Sequence, residues 1–180
     1  CMNAEGGVDL KRFASEITRG YDPQPEIEVE PGRAMVHLAE MFGLLGPTST
    51  CLTACAAGAQ AIGEAFHAIR SGEADVMIAG GCHSMINPQS IMGFCLLGAL
   101  STDNDRPTEA SRPFDKTRNG FVLSEGAALL VVEELGHARA RGATIIGELA
   151  GYGCSCDAFR VTDPHPEGLG QSRAIRLALQ

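Results

Sequence analysis

The 180-residue sequence contains no apolar run that approaches the length needed to cross a bilayer. Its first residues also lack the charged start and hydrophobic stretch of a secretory signal. Lysine and arginine number 14 against 22 aspartates and glutamates, which gives a formal net charge of −8. Nucleic acids and anionic membranes normally bind basic surfaces, so this charge argues against both as partners. We therefore expect a soluble, cytoplasmic protein that binds neither nucleic acid nor membrane.

Three glycine signatures of other enzyme classes are also missing. The sequence has no GxxxxGK(S/T) phosphate loop and no GxSxG turn. Gly151 and Gly153 are followed by Cys156 at the position where a dinucleotide-binding loop requires its third glycine. Nucleotide binding and serine hydrolysis are therefore not predicted.

The seven cysteines show neither a disulfide pattern nor a metal pattern. Their number is odd and most lie among apolar or small residues, so we expect a reducing compartment. Zinc sites usually have ligands paired at CxxC or HxxxH spacing. Cys154 and Cys156 are separated by one residue, and His83 beside Cys82 has no partner at either spacing. No metal site is predicted.

The sequence does contain enough apolar material for one core, with 44% hydrophobic and 20% charged residues. We predict a loop with at most one short helix over residues 1–30 and a polar loop over 101–119. Apolar residues at helical spacing, closed by glycine, predict a largely buried helix at 33–44 and another from 57 to about 70. Further helices are predicted at 88–100, 136–141 and from 168, and strands at 48–54, 74–79 and 145–152, with two more within 120–135.

Cys55 falls at the junction between the predicted strand at 48–54 and the helix that follows it. The first turn of a helix has unpaired N–H groups and a positive dipole end, which favour a thiolate. The same N–H groups can donate to the oxyanion that forms when a thiolate attacks a thioester. Ala54, Ala56, Ala57 and Gly58 leave room for a sharp turn and an approaching substrate. Position alone leaves open that Cys55 is a small core residue.

Six sequence blocks resemble those of the elongating β-ketoacyl-acyl-carrier-protein synthases, in the order and approximate spacing of that family. They are TACAAG at 53–58, ADVMIAGG at 74–81, GALST at 98–102, SRPFD at 111–115, RNGFV at 118–122 and EGA at 125–127. The resemblance covers residues 31–180 and is faint before them. It implies an α/β, thiolase-like fold with α-β-α-β-α layers, present here only in part. Residues 31–142 would form most of the first half and 143–180 the start of the second, with 1–30 poorly matched.

The resemblance implies decarboxylative Claisen condensation, in which Cys55 carries the acyl group delivered by an acyl carrier protein. By residue matching, Phe94 resembles the aromatic residue beside the acyl pocket, and Asp157 and Thr162 resemble members of a loop that moves on acylation. No resident cofactor is implied, because phosphopantetheine arrives on the carrier protein. A homodimer is implied, with strands near the active site pairing across the interface.

Two histidines that stabilise the enolate in this family lie in segments of the second half, and none of the histidines here occupies either motif. We therefore expect the 180-residue chain alone to be unable to condense.

Two further positions depart from the family pattern. Arg160 stands where many relatives carry histidine or an uncharged residue, and Gly98 stands where some carry a basic residue that docks the carrier. Lys11, Arg12 and Arg19 form a basic cluster that could attract an acidic carrier protein, although a solvated helix face is the simpler interpretation.

Three alternatives to a fatty-acid-type synthase stay open. A polyketide-type ketosynthase has the same fold. Condensation of coenzyme A esters, as in thiolases, is disfavoured because the RPFD block at 112–115 and the GFV run at 120–122 resemble the carrier-protein branch. A non-catalytic partner subunit commonly lacks the nucleophile, whereas Cys55 is present here. The missing histidines leave an acyl-accepting fragment that does not condense as a further possibility.

Overall fold

The computed structural model describes residues 9–20 and 30–180. The chain divides into two compact units, one formed by Pro31–Gly81 with Ala127–Gln180 and the other by Cys82–Gly126 with Cys1–Glu30. In the second unit, helix α1 spans Leu10–Gly20 and matches the short helix predicted near the start. The rest of that prediction, at residues 1–8 and 21–29, lies outside the described residues.

The larger unit begins with helix α2, Arg33–Phe42, which ends at Gly43 in the left-handed conformation. The prediction of a largely buried helix here was wrong, because α2 has no fully buried residue and Met41 and Phe42 are 72% and 58% exposed. Helix α3, Ala57–Arg70, agrees with the predicted span and buries Gly63 and Ala65. Among the described residues, no helix is long and apolar enough to cross a membrane.

Strands β1, Val76–Ser84, and β2, Glu125–Glu133, form the sheet of the described residues. At one end Glu134 N–H donates to Asp75 O over 2.9 Å, and at the other Ser84 Oγ bonds the Glu125 carboxylate, so the strands run antiparallel. Gly80 lies where a Cβ would overlap the carbonyl oxygen of Ala128 on the facing strand. The glycine is therefore required for the close approach of the two strands.

The end of β2 is joined to helix α5, Leu135–Ala140, through a carboxylate cluster. Glu133 accepts from Arg141 Nε and Nη2 over 2.7 and 2.6 Å and contacts His137 Nδ1 at 2.5 Å. The neighbouring Glu134 caps the helix by accepting from His137 N–H. Hydrogen bonds from Arg141, and then from His137, lower the pKa of Glu133 to about 2.

The smaller unit holds helix α4, Pro88–Leu96, whose start is capped by Asn87 Oδ1 accepting from Ser90 N–H over 2.9 Å. The helix is shorter than the predicted 88–100, because Gly98 adopts the left-handed conformation that ends helices, at φ 62°. The polar loop that follows is organised by Arg112, which bonds the Thr117 and Glu109 carbonyls and pairs with Asp103 at 3.0 Å.

The strands predicted at 48–54 and 145–152 are absent, and only one strand forms within 120–135, preceded by an isolated parallel bridge between Leu100 and Phe121. These predictions were wrong because a strand needs a backbone partner as well as apolar residues. The described part of the chain supplies no ladder to either of the two missing strands. The last helix, α6, spans Leu169–Ala178 and confirms the helix predicted from 168.

Candidate active site

Cys55 lies in a single 3-10 turn, Ala54–Ala56, that leads directly into α3. Its side chain is exposed in this chain. Ala54, immediately before it, has a φ of 49°, in the left-handed region that residues with a Cβ rarely adopt. The chain therefore makes a sharp, strained turn at the cysteine, although an irregular segment takes the place of the predicted strand.

The backbone N–H groups of this turn are only partly paired. Ala56 N–H donates to Thr53 O over 3.1 Å, and Ala57 N–H donates to Ala54 O. Among the described residues, no acceptor is paired with the N–H of Cys55. The first turn of a helix is expected to have several unpaired N–H groups. The turn pairs the N–H groups of Ala56 and Ala57, and it leaves those of Ala54 and Cys55 without an acceptor among the described residues.

Small residues hold the helix start against the sheet. Gly58 in the first turn of α3 faces Gly81 of β1, and a Cβ built on Gly81 would lie 3.3 Å from Gly58 Cα. Thr53 Oγ1 donates to Gln60 Oε1 over 2.7 Å, which ties the segment before Cys55 to the next turn of the helix. These contacts set the direction in which the cysteine is presented. Both glycines belong to the blocks that carry the family resemblance.

The far side of α3 packs on Tyr152, which the sequence argument did not single out. A Cβ on Gly63 would overlap the Tyr152 ring, and the ring edge meets His67 at a centroid distance of 5.7 Å. Burial raises the pKa of the Tyr152 hydroxyl, and a hydrogen bond with Cys154 adds to the effect. A glycine in the middle of an otherwise apolar helix was the signal for this close approach.

Asp157 and Thr162 lie in the irregular segment that precedes α6. Asp157 is half-buried, its Oδ2 accepts from His165 N–H over 2.9 Å, and its Cβ packs against the buried Gly170 of α6. Thr162 is exposed. Among the described residues, no hydrogen bond or ring contact joins either of them to Cys55, so their assigned roles stay predictions.

Phe94 lies on α4 in the smaller compact unit, with its ring half-buried. It meets Phe121 edge to face at a centroid distance of 6.2 Å. Phe121 also forms the isolated bridge to Leu100, where its N–H donates to Ala99 O over 2.8 Å. Phe121 is therefore a second aromatic residue beside Phe94, and its place within the RNGFV block was the only sequence signal for it.

Comparison with known proteins places this chain in a family. The sequence model described as "Beta-ketoacyl synthase, N-terminal domain" matches residues 27–138. The 3-oxoacyl-[acyl-carrier-protein] synthase 2 of Synechocystis is 51% identical over 139 residues, which are 77% of this chain and 33% of the relative. A putative polyketide β-ketoacyl synthase 1 of Streptomyces halstedii is 44% identical over 180 residues, covering 98% of this chain and 41% of the relative.

A solved complex of a type II polyketide synthase acyl-carrier protein with its ketosynthase bound to the hexaketide matches 94% of this chain and 44% of that one. The TM-score is 0.83 at 35% sequence identity. The chain thus spans between a third and a half of the length of these proteins. The matches confirm the predicted α/β, thiolase-like fold as a partial one, and the chain belongs to the β-ketoacyl synthase family.

Proposed function

We propose that the protein to which this chain belongs is a β-ketoacyl-acyl-carrier-protein synthase that holds its growing acyl group on Cys55. The observation that carries the proposal is the exposed Cys55 at the start of α3, whose own N–H has no acceptor among the described residues. Acyl transfer needs a nucleophile and an oxyanion donor at one place. This turn supplies both from a single residue.

In the proposed first step, the Cys55 thiolate attacks the carbonyl carbon of an acyl thioester on the carrier protein. The carbonyl oxygen becomes an oxyanion, which the Cys55 N–H is placed to stabilise by hydrogen bonding. Collapse of the tetrahedral intermediate expels the phosphopantetheine thiolate, which takes up a proton. The acyl group is then bound to Cys55 as a new thioester, with no net oxidation or reduction.

Acyl transfer is tested by mixing the chain with an acyl-carrier-protein thioester and measuring the carrier thiol that is released. We expect one equivalent of thiol per chain, and none from Cys55→Ser. Cys82→Ser is the matched control, because Cys82 is also an exposed free cysteine but lies on β1. Release that continues in Cys55→Ser would refute the proposal.

The second step would be decarboxylation of a malonyl carrier protein and attack of its carbanion on the acyl-Cys55 thioester. In the family, two histidines of the second half stabilise the enolate, and their motifs do not occur in these 180 residues. We propose that the 180-residue chain accepts the acyl group but does not condense. A Cys55-dependent ketoacyl product from this chain alone would refute that part.

The carrier protein is proposed to approach the basic face of α1. Arg12 is paired with Glu16 at 2.9 Å, so Lys11 and Arg19 are the better candidates for contact with an acidic partner. Reversing the charge of both should slow acyl transfer most at low salt, because the attraction is screened as ionic strength rises. Arg173→Glu, a charge reversal on the exposed surface of α6, is the control. Equal effects of the two changes would refute docking at α1.

A polyketide-type ketosynthase is the second candidate function. It is favoured by the Streptomyces halstedii relative, which matches 98% of this chain, and by the polyketide ketosynthase complex. Extension of an already β-ketoacylated carrier substrate, in preference to a saturated one, would distinguish it from fatty-acid elongation.

We also propose that the protein forms a homodimer. The irregular segment before Cys55 has no backbone ladder among the described residues, so its backbone groups could pair with a second copy. Light scattering would measure the oligomeric state.

A further inference from the structure

Tyr152 lies between helices α3 and α6 of the larger unit and contacts them in different ways. Its ring lies on α3 at Gly63, where a Cβ would overlap the ring atoms. Its backbone lies on α6, because a Cβ on either neighbour, Gly151 or Gly153, would overlap a carbonyl oxygen of that helix. The segment therefore meets α3 through a large side chain and α6 through bare backbone.

The Tyr152 ring has little room to move away from α3. The flanking glycines already touch α6, so the backbone of the segment cannot shift back. The ring edge meets His67, one turn further along α3, at a centroid distance of 5.7 Å. The hydroxyl is hydrogen-bonded to Cys154, which holds the far end of the ring. Any crowding at this contact must therefore displace α3.

Helix α3 has a second close contact near its start, and this contact is its pivot. Gly58 lies against Gly81 of β1, where a Cβ built on Gly81 would be 3.3 Å from Gly58 Cα. Gly63 is five residues beyond the pivot, which is about 7.5 Å along the helix axis. Cys55 is three residues before it, at about 5 Å. A displacement at Gly63 thus moves Cys55 in the opposite direction by about two-thirds as much.

A displacement of this kind is large enough to affect acyl transfer. Carbon atoms in contact are about 3.5–4.0 Å apart, so a methyl group on Gly63 would move the helix and the ring apart by about 1 Å or more. Cys55 would then move by about 0.5–0.7 Å relative to a thioester held by other residues. Since a misplacement of about 1 Å can cost about a hundredfold in rate, we expect a loss of about tenfold.

We propose that Tyr152 is a positioning residue for acyl transfer, whose ring, backed by α6, sets the tilt of α3 and with it the position of Cys55. The inference rests on the proposed function, because it concerns the same acylation step. Tyr152 acts through the helix and has no assigned contact with substrate. Its loss should therefore lower the rate of the chemical step and leave binding of the carrier protein unchanged.

The test is single-turnover release of thiol from an acyl-carrier-protein thioester, measured over a range of carrier concentrations. Gly63→Ala should lower the maximum rate about tenfold and leave the half-saturating carrier concentration unchanged, because α3 lies outside the α1 face proposed for docking. Gly147→Ala is the matched control. It adds the same methyl group to the larger unit at a place where nothing lies within 4 Å, and it should keep both wild-type values. Rates are divided by the folded fraction from urea unfolding, so that lost stability alone does not lower them.

A double variant tests whether the ring transmits the effect. Tyr152→Leu alone should be slow, because α3 loses the ring that supports it. Gly63→Ala combined with Tyr152→Leu adds a methyl group where the smaller side chain leaves room, so it should be faster than either single variant.

The outcomes separate the inference from the proposed function. If wild type releases thiol and Gly63→Ala matches its maximum rate, or if the double variant is slower than both single variants, Tyr152 does not position Cys55. A change confined to the half-saturating carrier concentration would also refute the inference, because it would assign the contact to binding. No release from wild type would refute the proposed function and the inference with it.

Discussion

The strain at Ala54 leads to a prediction about the turn that presents Cys55. Ala54 has a φ of 49°, whereas Ala56, on the other side of the cysteine, has a φ of −88°. A left-handed conformation costs a residue with a Cβ about 1–2 kcal/mol, a cost that glycine does not have. Replacing alanine by glycine also adds conformational entropy to the unfolded chain, which costs about 0.4–1 kcal/mol at either position.

Comparison of Ala54→Gly with Ala56→Gly cancels the unfolded-state contribution. Ala56→Gly should be destabilising by about 0.4–1 kcal/mol, because it relieves no strain. The free energy of unfolding of Ala54→Gly should be about 1–2 kcal/mol higher than that of Ala56→Gly, because the glycine at 54 relieves the left-handed strain. This gain offsets the entropic cost, so Ala54→Gly should be as stable as wild type or more stable. Urea unfolding followed by circular dichroism measures both. If Ala54→Gly is no more stable than Ala56→Gly, the strained turn is not a property of the protein.

Two further predictions concern the sheet and its end. Gly80→Ala should destabilise the protein by about 1–3 kcal/mol in urea unfolding, because the new Cβ would overlap the Ala128 carbonyl oxygen. Gly126 lies on the facing strand, and a Cβ built there would have no other atom within 4 Å, so Gly126→Ala should leave the free energy of unfolding nearly unchanged. Equal losses of stability in the two variants would contradict the predicted overlap at Gly80. Glu133 has a pKa of about 2 against an ordinary 4.5, so its contribution to stability is complete above pH 4.5 and is lost as the pH falls through 2. Glu133→Gln should be less stable than wild type at neutral pH and should approach it as the pH is lowered through that window, and a constant difference would count against the Arg141 pairing.

The helices of this chain could be predicted because their signals are local. The spacing of apolar residues after Cys55 and the closing Gly72 were sufficient to place α3 at 57–70. Gly98 was also a local signal, but the prediction extended the helix through it to residue 100, so the predicted α4 was too long. Strands depend on a partner distant in sequence, so the apolar segments at 48–54 and 145–152 were wrongly assigned.

The turn at Cys55 was predicted more accurately than its surroundings. Cys55 was placed by its short neighbours and by the helix after it, and both features are local. The free N–H on the cysteine depends on a 3-10 turn that has no distinctive sequence signal. Tyr152 and Phe121 approach their partners from other parts of the chain, so their contacts required the structure. The roles of Phe94, Asp157 and Thr162 still rest on resemblance alone.

The central claim is that the acyl group is carried by Cys55, and locating that group tests it most directly. After incubation with an acyl-carrier-protein thioester, the chain is digested at low pH and the acylated peptide is identified by mass spectrometry. Six described cysteines are free, and five of them are exposed, so the other four exposed thiols serve as internal controls. The account predicts one acyl group per chain, on the peptide that contains Cys55. Acylation spread evenly over the exposed cysteines, or absent from Cys55, would contradict it.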